Sequence, residues 1–249
     1  MKIAVAGGTG QAGSQAVIAA RESGHDVVVL ARSKGVDLVT GKGAAAALEG
    51  VDAVIDASGV SDDADPIGFH TDVARTLHLA EESAGVRHHV VLSIVGAARA
   101  ADYPLYSAKV AQERAAEASG IPFTIVRSTQ FHEFAGQVWR FGKRGPVHFA
   151  PRGRTQPVAA REVGARLAAA AVAEPSGRTI EFAGPREESL ADMVKVWAGA
   201  SGAGGWVIPV KLPGAIGHAM RDGSLLPGTD AELGAETFAE WIAALARAR

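Results

Sequence analysis

MKIAVAGGTGQAG, residues 1–13, is the stretch on which the reading of this chain turns. Lys2-Ile3-Ala4-Val5-Ala6 is a short apolar run ending at Gly7, and the apolar pattern Ala16-Val17-Ile18-Ala19-Ala20 begins directly after Gly13. A buried strand therefore turns straight into a helix. Gly7 can take the tight backbone angles at the strand end, Gly10 lets the main chain approach an anion, and Gly13 lets the helix pack close to the sheet. The free N–H groups of the helix start then point at that anion. Glycines also collect in turns that bind nothing. Here the strand before and the helix after agree on a pyrophosphate cradle of a dinucleotide site, formed by Gly7, Thr9, Gly10, Gln11, Ala12 and Gly13.

Composition narrows the class. With 249 residues, 47% hydrophobic and 21% charged, the chain can bury a sizeable core, and a second full domain is not expected. A net charge of −2 with scattered Lys and Arg argues against a nucleic-acid surface. No cysteine is present, which excludes disulfides, thiolate catalysis and Cys-based metal sites. No basic-then-apolar leader stands at the start, and apolar stretches such as 167–173 are too short to span a bilayer. The expectation is a cytoplasmic protein without a membrane partner, its oligomeric state left open.

Apolar β-branched runs alternate with Ala-rich runs, the pattern of a Rossmann-type, doubly wound parallel sheet in an α/β fold. Strands are expected at 2–6, 26–31, 52–57, 89–95 and 122–127, with a weak one at 36–39, and helices at 11–23, 68–84 and 106–119. Gly24 and Gly120 follow two of these helices, where a left-handed cap favours glycine. Residues 130–157, rich in Gly and Pro, read as loops with a short helix. Helices are then expected at 161–173, 189–200 and 237–248 and a short strand at 179–182, with Ser189 and Asp192 at capping-box spacing. The whole reads as one domain, 1–249: a dinucleotide-binding core at 1–128 and, at 129–249, mainly a small α/β substrate lid fused to it.

The end of the second strand bears on the nucleotide. An NAD site usually places Asp or Glu there, about 20 residues past the glycines, to hold the ribose 2′-hydroxyl. This chain has Leu30-Ala31-Arg32-Ser33-Lys34 instead. A guanidinium and a hydroxyl suit a 2′-phosphate, so Arg32 and Ser33 favour NADP(H) over NAD(H). The plainer reading is that Arg32 is a solvated residue leaving the strand. After the 52–57 strand, Ala57-Ser58-Gly59 would lie against the cofactor ribose through backbone contacts.

GGTGQAG at 7–13, LARS at 30–33, VVLSIVGA at 90–97, YSAKVAQE at 106–113, GIPFTIVRSTQF at 120–131 and TFAEW at 237–241 together resemble the atypical short-chain dehydrogenases/reductases of the NmrA-like group. That resemblance implies the fold and the nucleotide. It also covers active reductases, isomerase-like members, quinone-reducing members and proteins that bind NADP(H) as sensors. Short-chain reductases use a Ser at a strand end, then a Tyr and a Lys four residues apart on the next helix. On that pattern Ser93 would fix the substrate oxygen, Tyr106 would exchange its proton, and Lys109 would hold the nicotinamide ribose and lower the Tyr pKa. Tyr106 and Lys109 are three apart rather than four, which turns the Tyr by about 100° of helix rotation.

Each of these residues has a structural alternative. Tyr106 could pack as an aromatic near the helix start, Lys109 could pair with Glu113 at i,i+4, and Ser93 could bond only to backbone. His132, in the loop after the 122–127 strand, stands as a pocket wall or as a surface residue. His88 and His89 are adjacent, with no third ligand at metal spacing, so no metal is expected. Three functions follow: an NADP(H)-dependent reductase of an apolar carbonyl or quinone, an NADP(H)-binding redox sensor, or a non-redox isomerase or cyclase on the same fold.

Overall fold

Ile3, Ala4, Val5 and Ala6 are all fully buried, as a strand covered on both faces must be. The structure is a computed structural model that describes residues 1–59 and 65–247. Strand and helix alternate from the start: β1 (Lys2–Ala6), α1 (Gln11–Glu22), β2 (Asp26–Leu30), α2 (Ala44–Ala47), β3 (Ala53–Asp56), α3 (Pro66–Ala84), β4 (His88–Ile94), α4 (Pro104–Ala118) and β5 (Phe123–Ser128). There follow α5 (Phe134–Phe141), β6 (Lys143–Arg144), β7 (Val147–Pro151), β8 (Arg154–Thr155), α6 (Ala160–Val172), β9 (Thr179–Ala183) and β10 (Glu188–Ser189). The chain closes with α7 (Leu190–Ala200), β11 (Trp206–Val210), α8 (Gly214–Asp222), β12 (Glu232–Leu233) and α9 (Phe238–Arg247). The expected end of the last helix at Ala248 lies outside the described residues.

The chain divides into two compact units, Met1–Arg127 with Arg161–Ile180, and Ser128–Ala160 with Glu181–Arg249. Nearly all of α6, which the sequence places among the lid elements, therefore falls in the first unit.

Among the described residues the central sheet has seven strands in the order β12-β9-β5-β4-β3-β1-β2, and β1 pairs in parallel with both β2 and β3. The chain leaves β1 for β2 on one side and returns to β3 on the other, so the strand order reverses at β1. Ala6 is level with Leu30 on β2 and with Asp56 on β3. The carboxyl ends of three strands thus meet at the crevice where open α/β sheets bind ligands. On one face, α2 and α3 cover Ala4, Ala6 and Val54 with Leu48, Val73, Leu77 and Ala80. Helix α1 buries Ala12, Gly13, Ala16, Val17 and Ala20, and α6 comes against it at Gly164, where a Cβ would stand 2.6 Å from the Ala16 nitrogen.

Three expectations are corrected here. Residues 36–39 form no strand: the Asp37 carboxylate accepts the N–H groups of Val39 at 3.0 Å and Thr40 at 3.4 Å, and this local capture competes with a ladder. Helices α3 and α4 each begin two residues before the expected start, at Pro66 and Pro104, because proline is tolerated where the helix N–H has no partner anyway. Residues 130–157 carry more than loops and a short helix, since β7 pairs in parallel with β11 from Val147↔Trp206 to Pro151↔Val210 and antiparallel with β6.

The second unit has its own core, Ala135, Val138, Ala150, Leu190, Met193, Val194, Phe238 and Ile242, with the half-buried Trp139, Trp197 and Trp241 packed on it. Ser189 caps α7 by accepting the Asp192 N–H at 3.4 Å, as its spacing suggests. His132 is neither pocket wall nor surface: it is fully buried, its Nε2 lies 3.1 Å from the Glu236 carbonyl, and its ring meets Phe238 and Trp241. Among the described residues no helix is long and apolar enough to cross a membrane.

The α1–α6 contact generates a test. Gly164→Val places a branched side chain against the α1 backbone, and overpacking of this kind costs about 1–3 kcal/mol. Urea unfolding should show that loss, whereas a change within about 0.5 kcal/mol would mean that α6 shifts freely on α1.

Candidate functional site

The glycine loop is built as its sequence implies. The Gly10 N–H donates to the Gly7 carbonyl at 2.8 Å, closing a tight turn, and Gly10 becomes the N-cap of α1 with no capping side chain and no acid in the first helical turn. Gly7 has φ +68°, and a Cβ there would run into the Ala57 carbonyl; a Cβ on Gly13 would run into the carbonyl of Gly7. These two positions exclude every larger residue. A Cβ on Gly10 would meet only the Gly7 oxygen, at 3.2 Å, so this glycine keeps the loop's outer side clear instead. That is a cradle a side chain would fill.

Beside it lies a cleft of about 540 Å³ at the crevice between β1, β2 and β3. Of the residues singled out in the sequence, Gly7, Thr9, Arg32, Ser58 and Gly59 line it, whereas Gly10, Gln11, Ala12, Gly13, Ser33 and Ala57 do not. Ala12 and Gly13 are buried and can offer only main chain. Its apolar lining comes from residues that sequence reading missed, Leu30, Val36, Leu38 and, from α3, Phe69 and Val73, which belong to one packed cluster. Phe69 and Val73 stand at i,i+4, a signal that could have placed them on one helix face. Asp37 also lines the cleft; hydrogen bonds from the Val39 and Thr40 N–H groups, with the Arg32 charge, hold its carboxyl below the usual range. An acid therefore does stand near the end of β2, though seven residues beyond Leu30 rather than at the strand end.

Lys109, Ser93 and Tyr106 lie outside the lining of this cleft. Lys109 is almost fully buried, and its Nζ donates to Ser58 O at 3.1 Å, Leu92 O at 3.1 Å and Gln112 Oε1 at 2.9 Å. The alternative pairing with Glu113 is not made. Glu113 takes a bidentate pair from Arg127 at 2.8 and 2.6 Å, whose planar fork matches a carboxylate better than an ammonium does. Gln112 in turn donates to Asp56 Oδ2 at 2.6 Å, and Asp56 Oδ1 accepts the Ser58 N–H at 3.0 Å. Asp56, Gln112, Lys109 and Ser58 thus form a closed ring that fixes the turn at the end of β3.

Electrostatics follow from that burial. Desolvation pushes the Lys109 ammonium down to about 8, with Asp56 and Glu113 opposing. Burial pushes the Asp56 carboxyl up, but the His89 and Lys109 charges and the Ser58 hydrogen bonds outweigh it and leave it below the usual range. His70, fully buried, is pushed down to about 4 by burial and the Lys109 charge. Ser93 is buried at the carboxyl end of β4, and its Oγ has no hydrogen-bond partner among the described residues. Ser58 Oγ is in the same condition. Two unpaired buried hydroxyls at adjacent strand ends are groups that a ligand can satisfy. Tyr106 is buried, with its ring 5.8 Å from that of Tyr103.

A family model described as NAD(P)H-binding matches residues 7–175. Photosystem II assembly factor Ycf39 of Synechocystis sp. is 31% identical over 176 residues, 60% of this chain and 54% of that protein, so the chain spans about half the length of this relative. The NADPH-dependent quinone oxidoreductase of Escherichia coli, solved with NADPH, superposes with a TM-score of 0.70 at 20% identity, over 98% of this chain and 99% of that one. Citrobacter sp. triphenylmethane reductase, solved with NADP(H), gives 0.72 at 19% identity, over 99% and 100%. The two structural likenesses establish the Rossmann-type α/β fold, and the family model gives the cofactor class as NAD(P)H.

The burial of Lys109 has a measurable sign. The unfolded chain keeps this proton to about pH 10.4 and the folded one only to about 8, so over that window the unfolded state binds more protons and stability from this group rises with pH. The stability of the wild type relative to Lys109→Met should therefore grow by about 1–2 kcal/mol between pH ~8 and ~9.5. A flat difference in urea unfolding would mean an ordinary lysine.

Proposed function

The chain belongs to the NAD(P)H-binding family, and we propose that it is an NADP(H)-dependent oxidoreductase that reduces a carbonyl or quinone-type small molecule. The observation that carries the cofactor preference is Arg32, two residues beyond the end of β2, lining the same cleft as Gly7 and Thr9. A guanidinium suits a 2′-phosphate, the group that distinguishes NADP(H). The apolar lining that includes Leu38 and Phe69 suits a base, and the clear outer side of Gly10 suits the pyrophosphate. Bound NADPH supplies the hydride. The quinone oxidoreductase likeness supports the substrate class.

The residues of the chain do the rest. Ser93 Oγ, unpaired at the end of β4, donates a hydrogen bond to the substrate oxygen and so stabilises the charge that develops there. Tyr106, near the start of α4, supplies the proton. Lys109 acts differently from the expectation that it holds the nicotinamide ribose: with three acceptors inside the protein, it holds the Ser58 turn and the Leu92 carbonyl beside Ser93, and its charge favours the ionised Tyr. In this scheme it is a positioning residue.

A second reading, an NADP(H)-binding redox sensor without turnover, is favoured by the three-residue spacing of Tyr106 and Lys109 and by the full occupation of the Lys109 donors. Asp37 bears on the nucleotide, since its carboxylate could hold a ribose 2′-hydroxyl instead.

Arg32→Ala should weaken NADPH binding about tenfold or more while sparing NADH, as the loss of a charge-assisted phosphate pair predicts. Equal loss for both nucleotides in a titration would remove the 2′-phosphate assignment. NADPH oxidation with a panel of quinones and ketones tests the activity: Tyr106→Phe should leave NADPH affinity nearly unchanged and lower turnover by roughly 10²-fold, the scale of a lost general acid. Tight binding with no oxidation of any substrate would favour the sensor.

A further inference from the structure

At the amino end of β4, remote along the strand from Ser93, three side chains of metal-binding type converge: His78 and Glu81 from α3 and His89 from β4. Each offers one ligand atom, and those atoms all lie within 4.8 Å of one another. His89 Nδ1 is 2.7 Å from Glu81 Oε1, and the His78 and His89 rings meet edge to face with centroids 4.9 Å apart. Adjacency of His88 and His89 hid this arrangement in the sequence. His88 sits on the opposite face of the strand, its Nε2 2.9 Å from Thr124 Oγ1, while the three-residue step from His78 to Glu81 puts both on the helix face that meets His89.

What the contacts leave unsatisfied points to a ligand. Glu81 and His89 are essentially fully buried, yet Glu81 Oε2 has no hydrogen-bond partner among the described residues, and neither has the buried Nε2 of His78. A buried carboxylate oxygen and a buried imidazole nitrogen left unpaired in one side-chain cluster are costly, and a bound cation satisfies both. We propose that His78, Glu81 and His89 form a structural site for a zinc-class divalent cation. Two imidazole nitrogens and one carboxylate match a borderline metal, whereas calcium and magnesium prefer all-oxygen shells. Bonds of about 2.0–2.1 Å in a tetrahedral site put ligand atoms about 3.4 Å apart, so closure asks for small side-chain torsions and a slight opening of the His89–Glu81 contact. Three protein ligands leave a fourth position for water. The cofactor cleft lies at the opposite, carboxyl ends of the strands, so the cation's effect is to fasten α3 to β4.

The test uses the whole chain after treatment with a chelator. Titration with Zn²⁺ should show one equivalent bound and a higher unfolding temperature. Co²⁺ should give the visible absorption of a four- or five-coordinate ion. Removing a ligand should cost at least what removing a residue that merely supports one costs, so His78→Ala should weaken Zn²⁺ binding about tenfold or more and abolish the thermal gain. His218→Ala, which removes an exposed imidazole elsewhere, should change neither. Binding unaffected by His78→Ala, or a Co²⁺ spectrum of the wild type identical to that of the hydrated ion, overturns the proposal, and the second of these needs no variant.

Discussion

A buried ammonium must be given acceptors for its protons, and Lys109 finds three: the carbonyls of Ser58 and Leu92 and the side chain of Gln112. In a medium of low dielectric such a network is stable only when every member is satisfied. Here Gln112 passes its own amide protons to Asp56, and Asp56 closes the ring on the Ser58 N–H. Helix α4 is thereby tied to the ends of β3 and β4 at once. The Asp56–Gly59 turn set by this ring is the surface against which Gly7 packs, with no room for a Cβ between Gly7 and Ala57. The geometry of the glycine loop thus rests on polar contacts made by a helix about 100 residues later.

Much of this was open to reading in the residues. Strand β1, the cradle and α1 stood in one stretch, residues 2–22, whose apolar period switches from strand to helix, and the parallel strands after them are short Val- and Ile-rich runs. What misled was local chemistry that outranks periodicity. Asp37 turns back on Val39 and Thr40 and dissolves the strand that Val36-Asp37-Leu38-Val39 suggests. Strand β11 contains Pro209 and β7 ends in Pro151, and a proline in a short run argues against a strand although both sit in a ladder. Such pairing joins segments far apart in sequence, so neither segment announces the other.

The site divides in the same way. Residues whose role is carried by the backbone were legible: at Gly7 and Gly13 only one residue type meets the geometry, and Gly10 completes their spacing. Residues whose role depends on a distant partner were not. The i,i+4 rule offers Lys109 a pairing with Glu113 as its plainer alternative, but Arg127, fourteen residues after Glu113, offers that carboxylate a better fork. His132 looks like a loop histidine until α9 brings Phe238 and Trp241 over it. Burial of this kind is a property of the fold and leaves no mark on nearest neighbours in sequence.

The first unit is not continuous in the chain: it runs to Arg127, is left by Ser128–Ala160, and resumes at Arg161. Helix α6 then returns to lie against α1, pressing Gly164 onto Gln15 and Ala16. During synthesis, with residues appearing at about 5–20 per second, the strands from β1 to β5 emerge seconds before the helix that covers α1 exists. Until then the nascent domain exposes an apolar helix face, and the contact that covers it closes a loop of about 150 residues, which slows its formation. The residues around Gly164 are therefore a point at which an otherwise tolerable change in native stability would be felt first as poor yield of folded protein.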